Sequence, residues 1–341
     1  MIVRRGNSVT AVLRQYWRGT LKGWGAALDL ALLPVEVLYL SFVNLRLFLY
    51  RKGFLVAYRL KVPVISVGNV TMGGTGKTPF SRWVFEQMME MGVSPGLVSG
   101  IWGKDEHLLH ETWNPEGVFV ITRVKSKGAK LAASRGANVV IVDDGFQHLQ
   151  LMRDVDVVII SAEQDDQSRC LPRGLLREPF DGISRADMVL VSRKTASKSV
   201  AERVLRKVAD FVPEEKIGQI HLRFSCWTDI EGNSIEAPMG RQLVITSIAE
   251  PELFVEIVEL KTGEISEGEI YRDHHKFTQS DLDYLRIRSK GYNVVMTEKD
   301  AIKFKAFPGL LDNVYVLCLE LEWERGEHKM IEILRRIKEP V

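Results

Sequence analysis

Hydrophobic positions change their rhythm along the chain. From about Ala26 to Tyr50 they run almost unbroken, interrupted by Asp29, Glu36, Asn44 and Arg46, with Pro34 inside the run. Arg4, Arg5, Arg14, Arg18 and Lys22 precede it, and Arg51, Lys52, Arg59 and Lys61 follow. A signal peptide requires a short apolar core and a small-residue cleavage site, and none is evident. A spanning helix needs about 18 or more residues with few or no charges, and the interruptions count against one. A helix lying in the membrane interface fits better, with apolar residues buried and arginines toward anionic headgroups. A core or partner helix and a true span stay open as alternatives.

From Lys61 the pattern alternates. Short β-branched runs at Val62–Val67, Asn138–Val142, Val155–Ile160 and Met188–Val191 read as buried strands. A helix is expected from about Pro79 to Met91. Further strand-like runs recur at Gln219–Cys226, Leu243–Ile248, Asn293–Met296 and Val314–Leu321, with helical signals between them. Strands alternating with helices predict an α/β fold, a mostly parallel sheet flanked by helices. A polar stretch, Pro213 to Lys216, sets an expected boundary near residue 210. The expected organisation is a membrane-associating helical segment over 1–60, a nucleotide-binding core over 61–210 and a second, smaller α/β lobe over 211–341.

Composition narrows the classes. The 341 residues are 45% hydrophobic and 26% charged, the balance of a globular chain with a substantial core. The net charge of +2 gives no field that would argue for nucleic acid. Cys170, Cys226 and Cys318 are odd in number and widely spaced, which fits neither a disulfide framework nor a zinc site.

The strongest local signal is Thr71-Met72-Gly73-Gly74-Thr75-Gly76-Lys77-Thr78, with a strand before it and a helix after it. Glycines let the backbone curl until its N–H groups face phosphate oxygens. The following helix adds the positive end of its dipole. Lys77 is placed to reach the β- and γ-phosphates of a nucleotide, and Thr78 to present its hydroxyl to Mg²⁺. Thr71 stands where a strict P-loop has its first glycine.

Asp143 and Asp144 end an apolar strand, at the carboxyl edge where open α/β sheets bind ligands. Adjacent side chains on an extended segment point opposite ways, so one of the two is expected to face a metal. Asp-Asp-Gly is also good turn chemistry.

Four segments together resemble the tetraacyldisaccharide 4′-kinase family: VPVISVGNVTMGGTGKTP, VDDGFQH at Val142–His148, LPRGLLREP at Leu171–Pro179, and TEKDAIK at Thr297–Lys303. They stand in that family's order. The resemblance implies a P-loop kinase that moves the γ-phosphate of ATP, with Mg²⁺, to the 4′-hydroxyl of a tetraacyldisaccharide 1-phosphate. It implies a glycolipid acceptor, no nucleic acid, and a place at the cytoplasmic face of the bacterial inner membrane. Lys104-Asp105-Glu106-His107-Leu108-Leu109 is similar to the family's G-D-E-P-x-L-L segment, and Asp273-His274-His275-Lys276-Phe277 to its D-H-x-x-[FY]. The resemblance therefore makes Asp105 and His274 candidates for activating the sugar hydroxyl, a weak nucleophile. Lys77 and Arg177 are candidates for neutralising phosphoryl charge. Gly73, Gly74, Thr75, Gly76, Lys77 and Thr78 are the candidate nucleotide cradle. Thr78, Asp143, Asp144 and Glu106 are the candidate metal ligands, and Gln147, His148 and Glu178 further site residues. Asp273-His274-His275 also reads as a solvated turn or a metal pair, Arg177-Glu178 as a surface ion pair, and His148 as a buried structural histidine.

The chain departs from the family after the first crossover. The S-R-G-Y-x-R segment and some twenty further residues are missing, because Ser99-Gly100-Ile101-Trp102-Gly103-Lys104 runs straight into Asp105. His107 replaces a proline and Ser247 a glycine. These changes bear on acceptor recognition and rate more than on ATP. They leave two other readings open, a divergent P-loop kinase acting on another membrane amphiphile and a non-catalytic nucleotide-binding relative. A switch GTPase is a weaker reading, because Thr297-Glu298-Lys299-Asp300 is only superficially an N-K-x-D guanine motif.

Overall fold

A computed structural model describes residues 2–5, 16–17, 25–101, 103–164 and 168–338. Of the residues discussed above, Arg14, Arg18, Lys22 and Trp102 lie outside the described set. The chain forms two compact units, one of Val12–Leu222 with Leu321–Val341 and one of Met1–Ala11 with Arg223–Glu320. The division falls within a strand some twelve residues past the boundary expected near 210, and the C-terminal helix returns to the P-loop unit.

The larger unit holds helix α1 (Gly25–Arg51) and strands β2 (Val64–Gly68), β3 (Pro95–Gly100), β4 (Val118–Thr122), β5 (Val139–Asp143), β6 (Val155–Ser161) and β7 (Met188–Arg193). The first part of β8 (Ile217–Thr228) completes its sheet. Neighbours run β8-β7-β6-β2-β5-β3-β4, and every pairing between them is parallel. Helices α2 (Lys77–Glu90), α3 (Lys104–Trp113), α4 (Lys125–Ser134) and α5 (Lys198–Ala209) connect the strands. β2, β5 and β6 are buried throughout, as continuous β-branched runs on both faces of a covered sheet must be. The chain leaves β2 toward β3 on one side and returns through β5 to β6 on the other. The carboxyl ends of β2 and β5 therefore meet at a topological switch point, where α/β sheets bind ligands. Phe80, Phe85 and Phe146 are fully buried there, each stabilising by about 2 kcal/mol through lost apolar exposure.

The smaller unit is a second α/β lobe. β1 (Ile2–Arg5), β11 (Glu267–Tyr271), β10 (Gln242–Thr246), β12 (Asn293–Thr297) and the start of β13 (Val314–Arg325) lie side by side, all parallel. The short β9 (Ser234–Ile235) pairs antiparallel with the far end of β8. Helices α6 (Pro251–Thr262), α7 (Gln279–Arg288) and α8 (Glu298–Phe304) belong to this lobe, and α9 (Glu327–Lys338) to the larger unit. The expected mostly parallel sheet flanked by helices is what the chain forms.

α1 is long and apolar enough to cross a bilayer by length and composition, with 27 residues and a mean hydropathy of 1.8 over its most apolar stretch. The buried Glu36 and, among the partly buried positions, Asp29, Leu32, Tyr39, Leu40, Val43, Arg46 and Leu47 recur at helical spacing along one face. Leu30, Leu33, Val37, Leu38, Phe42, Leu45 and Phe48 are exposed. Pro34 does not end the helix, which continues to Arg51.

Candidate functional site

β2 delivers the chain into the loop at Asn69, and α2 begins at Lys77. Gly73 and Gly76 adopt φ of 116° and 93°, left-handed values that a side chain would strain. A Cβ on Gly76 would also sit 2.4 Å from Leu222 Cδ1. Gly76 is the N-cap of α2, no side chain caps the helix, and its first turn holds no acidic residue. Its leading amides thus have neither a capping oxygen nor a local carboxylate, which suits them to phosphate.

The loop is braced from three sides. Asn69 Nδ2 donates to Thr75 Oγ1 at 3.1 Å, Ser192 Oγ to Thr75 O at 2.8 Å, and Lys194 Nζ to Gly74 O at 2.8 Å. The Leu171–Pro179 segment runs antiparallel against the loop's first residues: Met72 N donates to Leu175 O at 2.8 Å and Arg177 N to Val70 O at 2.7 Å.

The paired aspartates have separate roles. Asp144, at φ 53°, turns out of β5. Its carboxylate accepts both bonds from Arg177 Nη1, at 2.8 and 2.9 Å, and lies 3.6 Å from Lys77 Nζ. Burial pushes its pKa up, but Lys77, Arg177 and Lys125 outweigh this and hold it well below the usual carboxylate range. Asp143 is buried, with Oδ1 lacking any hydrogen-bond partner among the described residues. Burial raises its pKa to about 6 against the pull of Lys125 and Lys77, and Glu106 adds like charge. A buried carboxylate oxygen with no donor is costly unless a cation completes it. Asp143, with the Thr78 hydroxyl in the first turn of α2, has the oxygen chemistry that would suit a hard divalent cation.

Lys125, at the start of α4, was not singled out by the sequence. Its ammonium is buried and donates to the carbonyl of Asp144 at 2.7 Å and to that of Asp143. Burial lowers its pKa, and the two aspartates pull it back up. No motif marked it, because its partners are backbone atoms 18 and 19 residues away.

Gln147 lies beside the start of the loop. Its Nε2 donates to Asn69 O and to Glu178 Oε1, both at 2.8 Å. Glu178 is buried, bridging Gln147 and Arg185 at 2.8 Å each. The Arg177-Glu178 dipeptide is therefore no surface ion pair: each residue turns to its own partner. Burial, with help from Lys125, lowers the His148 pKa to about 4, so the ring is neutral at ordinary pH.

Asp105 and Glu106 occupy the first turn of α3, whose N-cap is Gly103. On the buried side of the same helix His110 has no partner at either ring nitrogen, and burial lowers its pKa to about 3.

In the smaller unit the two adjacent histidines separate. His275 Nε2 lies 3.0 Å from Asp281 Oδ2, and its ring stacks on Tyr271 at 4.8 Å, a structural setting. His274, at φ 56°, has Lys299 Nζ at 3.4 Å from its Nε2 and the Asp273 carboxylate nearby. Lys299 also reaches Asp273 at 3.4 Å. Asp300 is wholly buried and accepts from Thr246, Thr297 and both the amide and hydroxyl of Ser247. An aspartate so occupied cannot read a guanine base, so TEKD is not a GTPase signature here. Among the described residues no group of three or more His, Cys, Asp or Glu forms a ready metal cluster.

Comparison with known proteins agrees with this geometry. The family model for tetraacyldisaccharide-1-P 4′-kinase (LpxK) matches residues 28–115 and 100–338. The two matches overlap at 100–115, the stretch where the chain lacks the family's intervening segment. The tetraacyldisaccharide 4′-kinase of Chlorobium luteolum is 32% identical over 91% of this chain and 98% of its own. That of Methylobacillus flagellatus is 30% identical over 98% and 99%. The crystal structure of LpxK from Aquifex aeolicus in complex with ATP superposes with a TM-score of 0.71 at 26% identity, covering 91% of this chain and 99% of that one. With a phosphate-ready loop, a lone buried carboxylate oxygen beside it and a match along nearly the whole chain, this protein belongs to the tetraacyldisaccharide 4′-kinase family.

Proposed function

We propose that the protein transfers the γ-phosphate of ATP to the 4′-hydroxyl of a tetraacyldisaccharide 1-phosphate, a step of lipid A synthesis, with Mg²⁺ on the nucleotide. The observation that carries this reading is the uncapped N-terminus of α2 beside the unpartnered Asp143 Oδ1. The name of the family, tetraacyldisaccharide-1-P 4′-kinase, supports this acceptor. The loop amides and Lys77 hold the phosphates. Arg177 leaves Asp144 to share phosphoryl charge, which is worth more in a buried site than in water. Asp143 and Thr78 would hold the metal, which when bound would supply positive charge against the phosphates, and Glu106 and Asp144 flank that position. The hydroxyl oxygen attacks the γ-phosphorus. The bond to the bridging oxygen breaks, and ADP leaves with its electron pair. The family resemblance assigns Asp105, with His274, to receive the hydroxyl's proton. Gln147, His148 and Glu178 line and brace the site.

The same reading places the protein on the cytoplasmic face of the inner membrane. The exposed apolar residues of α1, followed by Arg51, Lys52 and Arg59, suit an anionic lipid surface.

The test is transfer of label from γ-labelled ATP to tetraacyldisaccharide 1-phosphate in detergent with Mg²⁺, alongside Lys77→Ala and Asp105→Ala. Labelled lipid that disappears in both variants is expected. Binding of Mg·ATP without transfer would overturn the acceptor assignment. It would favour the second reading, a kinase for a different amphiphile, which the shortened Ser99–Lys104 connection motivates.

A further inference from the structure

α1 has one face of exposed apolar residues and one that docks, and among the described residues the polar contacts of the docked face run mainly to the Arg169–Arg177 stretch and to Gln147, which flank the phosphate loop. Glu36 is the one buried residue of the helix. Its Oε1 accepts from Cys170 N at 2.8 Å and its Oε2 from Arg173 Nη1 at 2.8 Å. Arg173 spans to the preceding turns, where Nη2 donates to Asp29 Oδ2 at 2.6 Å. Asp29 also takes Arg169 and, at 2.7 Å, the hydroxyl of Tyr16. One turn beyond Glu36, Tyr39 OH donates to the carbonyl of Arg177 itself, at 2.6 Å. Two turns further, Arg46 Nη2 donates to the carbonyl of Gln147 at 3.1 Å. Both carbonyls belong to residues whose side chains approach each other: Arg177 Nη1 binds the Asp144 carboxylate and lies 3.5 Å from Gln147 Oε1.

The Leu171–Pro179 segment has no helix or strand of its own to set its course. A short irregular arm of this kind takes its position from outside contacts. A buried carboxylate on a helix otherwise so apolar costs free energy unless it is fully paired, and here both oxygens are used. We propose that α1 is a positioning element for the catalytic arm, with Glu36, Tyr39 and Arg46 as positioning residues that hold Arg177 and Gln147 in register with the P-loop. This rests on the phosphoryl-transfer reading above and deepens it. The helix that presents apolar surface also sets the geometry of the charge-neutralising arginine. Displacing a clamped group by about 1 Å is enough to cost up to roughly a hundredfold in rate.

The test uses the full chain, with acceptor in detergent micelles so that membrane capture does not enter. Tyr39→Phe deletes a single donor, and Glu36→Gln weakens the staple while keeping its shape. Expected is a fall in kcat of about fivefold to twentyfold in each, with KM for ATP within about twofold and Tm nearly unchanged. Arg173→Lys should retain more activity than Arg173→Ala. Amide exchange supplies a readout that does not depend on the acceptor. The amides of Cys170, Leu176 and Arg177 should exchange about tenfold faster in Tyr39→Phe and Glu36→Gln, while those of β2 and β5 stay as in the unaltered protein. Unchanged kcat with unchanged exchange overturns the proposal. So does a loss of activity accompanied by faster exchange throughout the sheet, which is a purely structural effect. If the unaltered protein transfers nothing, the reading of function fails, and exchange at the arm alone decides this inference by the same two outcomes.

Discussion

α2 and α3 leave the same sheet in the same way, each starting just past the carboxyl end of a strand and each behind a glycine N-cap without a side-chain cap. Their first turns differ. α2 opens with Lys77 and Thr78 and no carboxylate, so its dipole and amides face outward for an anion. α3 opens with Asp105 and Glu106, which supply the negative charge from within the chain. A helix start at a sheet edge is therefore not by itself a phosphate site; the charge of its first turn decides whether it draws an anion or offers carboxylates.

The sharpest way to break this contrast is Lys77→Ala, expected to lower kcat for phosphoryl transfer by about a thousandfold, measured with saturating Mg·ATP. Gly76→Ala attacks the same turn through its backbone. The strained φ and the overlap with Leu222 should cost about 2 to 3 kcal/mol of stability in urea unfolding and weaken nucleotide binding more than tenfold.

The α3 side carries a pH dependence instead. His110 is buried neutral, its pKa lowered to about 3 by burial and then by His107 and Arg82. Below its ordinary pKa the unfolded chain binds a proton that the fold refuses, so stability is full above about pH 6.5 and falls as pH drops. The loss should reach about 2 kcal/mol at pH 5. His110→Phe, whose ring suits neighbours Trp113 and Phe119, should lessen that slope by about this amount in unfolding curves taken from pH 7 to pH 5, leaving the share of His148, whose pKa burial also lowers.

The smallest effect belongs to a helix start closed by its own side chains. α7 begins with a capping box in which Thr278 Oγ1 accepts from Asp281 N at 3.3 Å and Asp281 Oδ2 from Thr278 N at 2.9 Å. Thr278→Ala should cost about 1 kcal/mol of stability and leave the Kd for Mg·ATP untouched, as isothermal titration would show.

Most of the P-loop unit was legible in the sequence because its signals are local. β2, β5, β6 and β7 are short, mostly apolar β-branched runs, and two of the loop's glycines, Gly73 and Gly76, stand at positions of positive φ. β1, which falls in the segment expected to be helical, and β3, β4, β9 and β11 were not read. Pro95-Gly96 and Gly100 dilute the strand signal of β3, and Glu267 and Glu269 that of β11. Glu269 is nonetheless fully buried in β11, paired with Tyr284 and Arg288, partners 15 and 19 residues away that no window on the strand contains.

What the sequence alone determined about this protein is its family, its α/β class and its phosphate loop. Each depends on residues adjacent along the chain, where backbone geometry and periodicity act directly. Only the tertiary structure separated Asp143 from Asp144, His274 from His275 and the two faces of α1. It also brought Lys125 beneath the aspartates and showed Asp300 wholly committed to structure. Those assignments turn on which buried group finds a partner, and the partners stand far away in sequence: Glu36 and Arg173 are 137 residues apart. Burial makes an unpaired charge expensive, so the fold settles each charge by proximity in space, which periodicity along the chain does not encode.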